Sequence, residues 1–217
     1  MSASRIPLPW LKPAVLTGSL VPVGAILLRA WQGNLGADPI AEALNQFGLL
    51  ALIFLVVALA CTPLKGLLGW TWPMRIRRLL GLLAFFYALL HLATYTILDQ
   101  GLDWRAIWDD VSKRRFIFVG FSTFVLLIPL AATSTNAALR RLGYVRWKQL
   151  HRLAYLAPAL AVLHFVWRVK LDVREPMRYG FVLAALLLFR IGDYLRAHRV
   201  PVRVSTNALS KSRPAPS

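Results

Sequence analysis

Cysteine is almost absent: Cys61 is the only one in the 217-residue chain. One thiol excludes an intramolecular disulfide and any metal centre built from several cysteines of the same chain. Cys61 lies in an apolar run, where a small lipid- or core-facing residue needs no special explanation. Charge is sparse as well. Charged residues make up 16% of the chain and hydrophobic residues 58%, against roughly 25% and 45–50% in soluble domains. The apolar residues fall into blocks too long for a soluble core, which excludes an ordinary soluble domain. Acids are scarcest of all, with 9 Asp and Glu against 26 Lys and Arg and a net charge of +17. In a soluble chain that balance suggests a nucleic-acid binder. Here the basic residues sit between apolar blocks, where they act as topology signals, so no nucleic-acid partner is expected. Neither a repeat of fixed period nor a soluble nucleotide-binding domain is evident.

Lipid satisfies no backbone polar group, so each long apolar block must be a helix, and a span needs about 20 residues. Ala43 to Leu64, Leu79 to Leu98 and Phe116 to Leu139 are three such blocks. Pro13 to Leu28 reaches the interface at Trp31, and Leu153 to Trp167 is lengthened by His151 at its start. The sixth, Tyr179 to Phe189, spans only if it runs on to about Tyr194 and if Arg178 and Arg190 snorkel to the two interfaces. The expected fold is an all-α integral membrane bundle of six helices. Residues 1–12 form a cytoplasmic lead into a retained first helix, 13–195 the transmembrane domain, and 196–217 a basic, disordered tail.

All eight tryptophans lie at or just outside block ends, where an amphipathic ring prefers the headgroup region. Loop charge alternates. Arg5 and Lys12, then Lys65, Arg75, Arg77 and Arg78, then Arg140, Arg141, Arg146 and Lys148, then the tail cations share one side. Asp38 and Glu42, then Asp99, Asp103, Asp109 and Asp110, then Asp172 and Glu175 share the other. The positive-inside rule puts both termini in the cytoplasm.

Ionisable groups inside a bilayer are functional by default, and three histidines lie in or at the edge of spans. His91 is a little past the middle of the third span, and His164 is near the outer end of the fifth. Both helices run outward, so the two imidazoles sit at similar depth, as a bis-histidine haem site requires. The plainer alternative is two histidines hydrogen-bonded to neighbouring helices. His151 lies about 20 Å below His164 and roughly 140° round the helix. A second iron there needs a partner near residue 77 or 78, and those positions are Arg77 and Arg78. Paired guanidinium groups hold phosphate well, so flavin mononucleotide could dock there; ordinary positive-inside anchors are the blander reading. His198, in the basic tail, reads as a solvated residue.

The run Arg77-Arg78-Leu79-Leu80-Gly81-Leu82, followed by Phe86-Tyr87, His91 and Tyr95, resembles the third helix of the ferric-reductase-like transmembrane superfamily. Trp147-Lys148-Gln149-Leu150-His151-Arg152-Leu153-Ala154-Tyr155, with His164 beyond it, resembles that superfamily's haem-bearing fifth helix. The resemblance covers about residues 8 to 200. Small size and the lack of a fused flavin–nicotinamide domain narrow it to the MsrQ family of haem-binding membrane subunits. The resemblance implies a bacterial inner-membrane electron relay carrying haem b and FMN. Its donor is the quinone pool or a cytoplasmic flavin reductase, and its acceptor is MsrP, a periplasmic molybdopterin enzyme that reduces methionine sulfoxide in oxidised proteins. His91, His151 and His164 match the superfamily's haem-ligand positions. The fourth position is filled by the Arg77–Arg78 region, which favours the flavin there. Asp99, Asp103, Asp109 and Asp110 are candidate docking charges for the acceptor. A stand-alone metalloreductase and, more distantly, a non-redox transporter are the rival readings.

Overall fold

The computed structural model describes residues 8–169 and 172–199. Among them every regular element is helical. Helix α1 is Leu11–Trp31, α2 is Pro39–Leu68 and α3 is Pro73–Ala93, which continues through a π-helical turn, Thr94–Asp99. Helix α4 is Trp104–Lys113, α5 is Arg115–Ala132, α6 is Asn136–Leu142 and α7 is Tyr144–Leu150. Helices α8, Leu153–Arg168, and α9, Arg174–Arg199, complete the order.

Five of these segments are long and apolar enough to cross a membrane: Leu11–Trp31, Pro39–Leu68, Pro73–Asp99, Arg115–Ala132 and Tyr144–Arg168. The sixth member of the bundle is α9. Its 26 residues reach across a bilayer at about 1.5 Å each, but Arg174, Arg178 and Arg190 dilute its apolar character. The lipid-facing surface shows on α5. Phe118, Phe121, Val125 and Ile128 are exposed, while Val119, Thr123, Leu127 and Leu130 are buried. A helix that is apolar all round, outside as well as inside, belongs in lipid. The chain is a six-helix membrane protein, as its sequence predicts.

Local chemistry sets the helix ends. Asp38 accepts from the Ala41 amide at 3.0 Å at the start of α2, with Pro39 in the first turn. Helix α2 stops at Gly69, whose left-handed φ of 69° lets its amide return to the Lys65 carbonyl at 3.2 Å, a conformation that costs glycine little. Asp103 caps α4 and Thr135 caps α6 in the same way.

Helices α2 and α3 pack on each other, α5 packs on α8, and α3 meets α5. Leu55, Ala84, Leu127, Leu130 and Ala157 form the cluster where these four helices converge. Ala84 and Ala157 are both 0% exposed, and such small residues let backbones approach closely in a membrane. Helix α1 packs against α3, and α9 lies against α8 and α2. Cys61 turns to the core, not to lipid: it is 1% exposed and bonds the Val57 carbonyl at 3.3 Å. Residues 1–7 and 200–217, most of the expected lead and tail, lie outside the described residues. The helix itself runs past the expected boundary at 195, to Arg199.

Candidate functional site

Helices α3 and α8 bring His91 and His164 together. Their ring centroids are 6.2 Å apart, with the ring planes at 85°. Each ring is anchored by a different neighbour. His91 Nδ1 lies 2.8 Å from the carbonyl oxygen of Leu44 on α2, and His164 Nδ1 lies 2.6 Å from that of Phe116 on α5. A carbonyl oxygen only accepts, so Nδ1 is the donor in both rings. Nε2 is then the bare, basic nitrogen of each neutral imidazole. Among the described residues, no three His, Cys, Asp or Glu side chains gather to hold a metal ion. Two imidazoles alone suit a metal whose remaining positions a macrocycle fills.

His151 is placed differently. It ends α7 at a turn and does not begin a continuous helix. Trp147 stacks on it, with centroids 3.9 Å apart at 26°, and His151 Nε2 lies 3.1 Å from the Thr133 hydroxyl. Trp147 Nε1 donates to the Thr133 carbonyl at 3.0 Å. Trp147 is thus a correction to the expected tryptophan belt. Seven tryptophans are exposed, but this one turns inward because its indole N–H and ring face both find partners there.

Arg77 and Arg78 stand within electrostatic reach of His151. Arg78 Nη1 donates to Asn136 Oδ1 at 2.7 Å, tying the start of α3 to α6. Arg190 joins them from α9, within electrostatic reach of Arg77. Arg190 turns toward α2 and α8. Its Nη2 donates to the Thr62 hydroxyl, its guanidinium carbon lies 4.8 Å from the Tyr155 ring centroid, and its buried Nε has no hydrogen-bond partner. The described ion pairs are Lys113–Asp109 and Arg114–Asp110, so none of these three arginines is in ion-pair contact with a carboxylate. The donor set fits an anion.

The outer-loop acids are less free than loop charges suggest. Asp103 caps α4, Asp109 holds Lys113 at 2.5 Å, and Asp110 takes Tyr95 Oη and Arg114 Nε, each at 3.1 Å. Asp99 accepts from Gln100 at 2.8 Å.

Residues 44–175 match the family model described as the ferric reductase like transmembrane component, which takes in the histidine pair, His151 and the first arginines. Among curated relatives, one from Deinococcus radiodurans is 49% identical over 193 residues, covering 89% of this chain and 95% of the relative. It is named protein-methionine-sulfoxide reductase heme-binding subunit MsrQ. This chain belongs to the MsrQ family. Relatives of the same name from Rhodospirillum rubrum and Herminiimonas arsenicoxydans are 47% and 46% identical. They match 86% and 83% of this chain and 89% and 84% of their own lengths.

Sequence reasoning misses several residues around the MsrQ-family histidines. The carbonyls of Leu44 and Phe116 are invisible in a sequence because every residue has one. Thr133 and Arg190 carry a signal, a polar group within or beside an apolar block, but not a direction. Gly48 and Gly120 carry one too, as glycines inside helices where alanine is favoured.

Proposed function

We propose that this chain is the haem-binding subunit of a methionine sulfoxide reductase system, in which His91 and His164 would together hold one haem b. The observation that carries this reading is the imidazole pair, 6.2 Å between centroids. Two ring nitrogens at about 2 Å from a shared metal, each about 1 Å from its ring centre, put the centroids about 6 Å apart. The relatives' printed name, heme-binding subunit, supports the same ligand. Haem, when bound, supplies reversible one-electron chemistry at its iron.

The chain's own residues hold and tune that group. The carbonyls of Leu44 and Phe116 keep Nδ1 protonated, which leaves Nε2 for the metal and raises its basicity. The apolar walls of α2, α3, α5 and α8 exclude water. One haem is favoured over two, because His151 is engaged by Thr133 and Trp147 and faces arginines where a second ligand is needed. Arg77 and Arg78 would hold the phosphate of FMN, and Arg190, within electrostatic reach of Arg77, adds to the same positive region.

The protein lies in the bacterial inner membrane with both termini cytoplasmic, an orientation supported by the loop charges. Electrons enter from the quinone pool or a cytoplasmic flavin reductase and leave to MsrP, the periplasmic molybdopterin reductase, in repair of oxidised proteins. With Asp99, Asp103, Asp109 and Asp110 each bonded within the chain, the acceptor's docking is assigned to no single carboxylate.

A reduced-minus-oxidised visible spectrum of the detergent-purified protein, with haem and flavin quantified per chain, tests the proposal. Split low-spin b-type bands with one haem and one flavin are expected. Colourless protein from haem-replete cells overturns the redox reading, and two haems per chain overturn the assignment at His151.

A further inference from the structure

Gly48 and Gly120 lie inside α2 and α5, and each faces an imidazole. A Cβ added at Gly48 meets His91 Nδ1 at 3.0 Å and Cε1 at 3.2 Å. At Gly120 it meets His164 Nδ1 at 2.6 Å, Cε1 at 2.8 Å and Cγ at 3.3 Å. Neither glycine has a left-handed φ, so conformational freedom does not explain them. Glycine within a helix is destabilising relative to alanine, and space for the ring is the reason the structure offers.

The hydrogen bonds and the glycines form one device. Leu44 and Phe116, whose carbonyls hold the two rings, each stand one helical turn before their glycine. A helical carbonyl points toward the amide four residues on. A side chain reaching that oxygen from another helix therefore lies across the backbone at the fourth residue, where a Cβ takes the place of the imidazole. The device occurs twice at nearly the same spacing, with His91 47 residues after Leu44 and His164 48 residues after Phe116.

We propose that Gly48 and Gly120 are positioning residues for the two imidazoles, an inference that rests on the haem reading above. By admitting each ring to its carbonyl they set its tautomer, with the proton on Nδ1 and the lone pair on Nε2. They also set its plane, so that two rings held by two different helices cross at 85°. An alanine at either position displaces the ring from its carbonyl and rotates it.

Electron paramagnetic resonance of the oxidised holoprotein reads this directly, because the low-field g value of a low-spin ferric haem depends on the angle between its axial imidazole planes. Crossed planes give a strongly anisotropic signal in the unsubstituted protein. Gly120→Ala is expected to move that signal or convert it to high spin, to shift the midpoint potential and to lower haem per chain. Gly48→Ala is expected to do the same to a smaller degree, since its contacts are longer. Gly81→Ala, on α3 with nothing within 4 Å of the added carbon, is the control and leaves all three readouts unchanged.

Glycine variants with unaltered g values and potential overturn the inference, as does a Gly48→Ala effect larger than that of Gly120→Ala. If Gly120→Ala does not accumulate in the membrane, Gly48→Ala against Gly81→Ala decides alone. Haem that survives His91→Ala and His164→Ala overturns the haem reading itself. Haem lost in both histidine variants but undisturbed in the glycine variants overturns this inference only.

Discussion

Trp147 lies flat on His151, ring centroids 3.9 Å apart, while its indole N–H bonds the carbonyl of the same Thr133 whose hydroxyl meets the histidine. The ring face and the donor of Trp147 are thus both used to hold one imidazole. That arrangement separates His151 from the pair formed by His91 and His164, and the separation can be tested.

His91→Ala and His164→Ala are each expected to abolish the low-spin haem spectrum, because both imidazoles serve one metal. His151→Ala is expected to keep haem at the unsubstituted level. Haem content per chain and the visible bands of the three purified variants check this. A His151→Ala protein that lost half its haem would show a second iron at that end.

Arg77→Gln and Arg78→Gln are each expected to weaken retention of flavin about tenfold or more, since a charge-assisted hydrogen bond contributes about 1.5–3 kcal/mol. Haem content should be unchanged. Fluorescence of flavin released from the purified protein, normalised to chain, gives the comparison. Flavin retained at the unsubstituted level in the double variant would place the phosphate elsewhere.

Tyr87 is fully buried and its hydroxyl donates to the Ser19 carbonyl, joining α3 to α1. Its ring stacks on Phe54 at 5.4 Å. Tyr87→Phe keeps the stack and loses only the hydroxyl's hydrogen bond, so it should cost about 1 kcal/mol of stability. Tyr87→Ala should cost about 3–5 kcal/mol. Unfolding of the two variants in detergent micelles, followed by near-ultraviolet dichroism, orders them.

The single cysteine makes orientation accessible. Cys61 is buried, and in a Cys61→Ala background one new thiol reports one loop. Ser112→Cys, on the exposed face of α4, is expected to react with a membrane-impermeant maleimide applied from the periplasmic side. Ala137→Cys, exposed on α6, should react only after the membrane is opened. Reversed reactivity would invert the proposed topology.

Much of the architecture is readable in the sequence because lipid leaves the backbone so few choices. The third span is predicted over Leu79 to Leu98 and found within Pro73–Asp99; the fifth is predicted from about His151 and found within Tyr144–Arg168. Matched depth of His91 and His164 follows from counting residues along two helices that run the same way. Where the reading departs, the cause is local. The helix expected to start at His151 starts at Leu153 instead, and His151 sits at the turn before it, where the Thr133 hydroxyl and Trp147 meet the imidazole. The direction of Arg190, toward Thr62 and Tyr155, is likewise set by contacts that hydropathy does not show.

By itself the sequence determined the class of the protein and the approximate place of its apolar spans along the chain, because hydropathy is a property of one helix at a time; the fourth block, expected over Phe116 to Leu139, ends as a helix at Ala132. The tertiary structure decided how each helix is rotated about its own axis. Through that rotation it decided that the Leu44 and Phe116 carbonyls receive the two Nδ1 atoms, that Gly48 and Gly120 leave room for the rings, that Trp147 turns inward and that Arg190 turns toward α2 and α8. Rotation is set by contacts between residues tens of positions apart, and hydropathy carries no information about those.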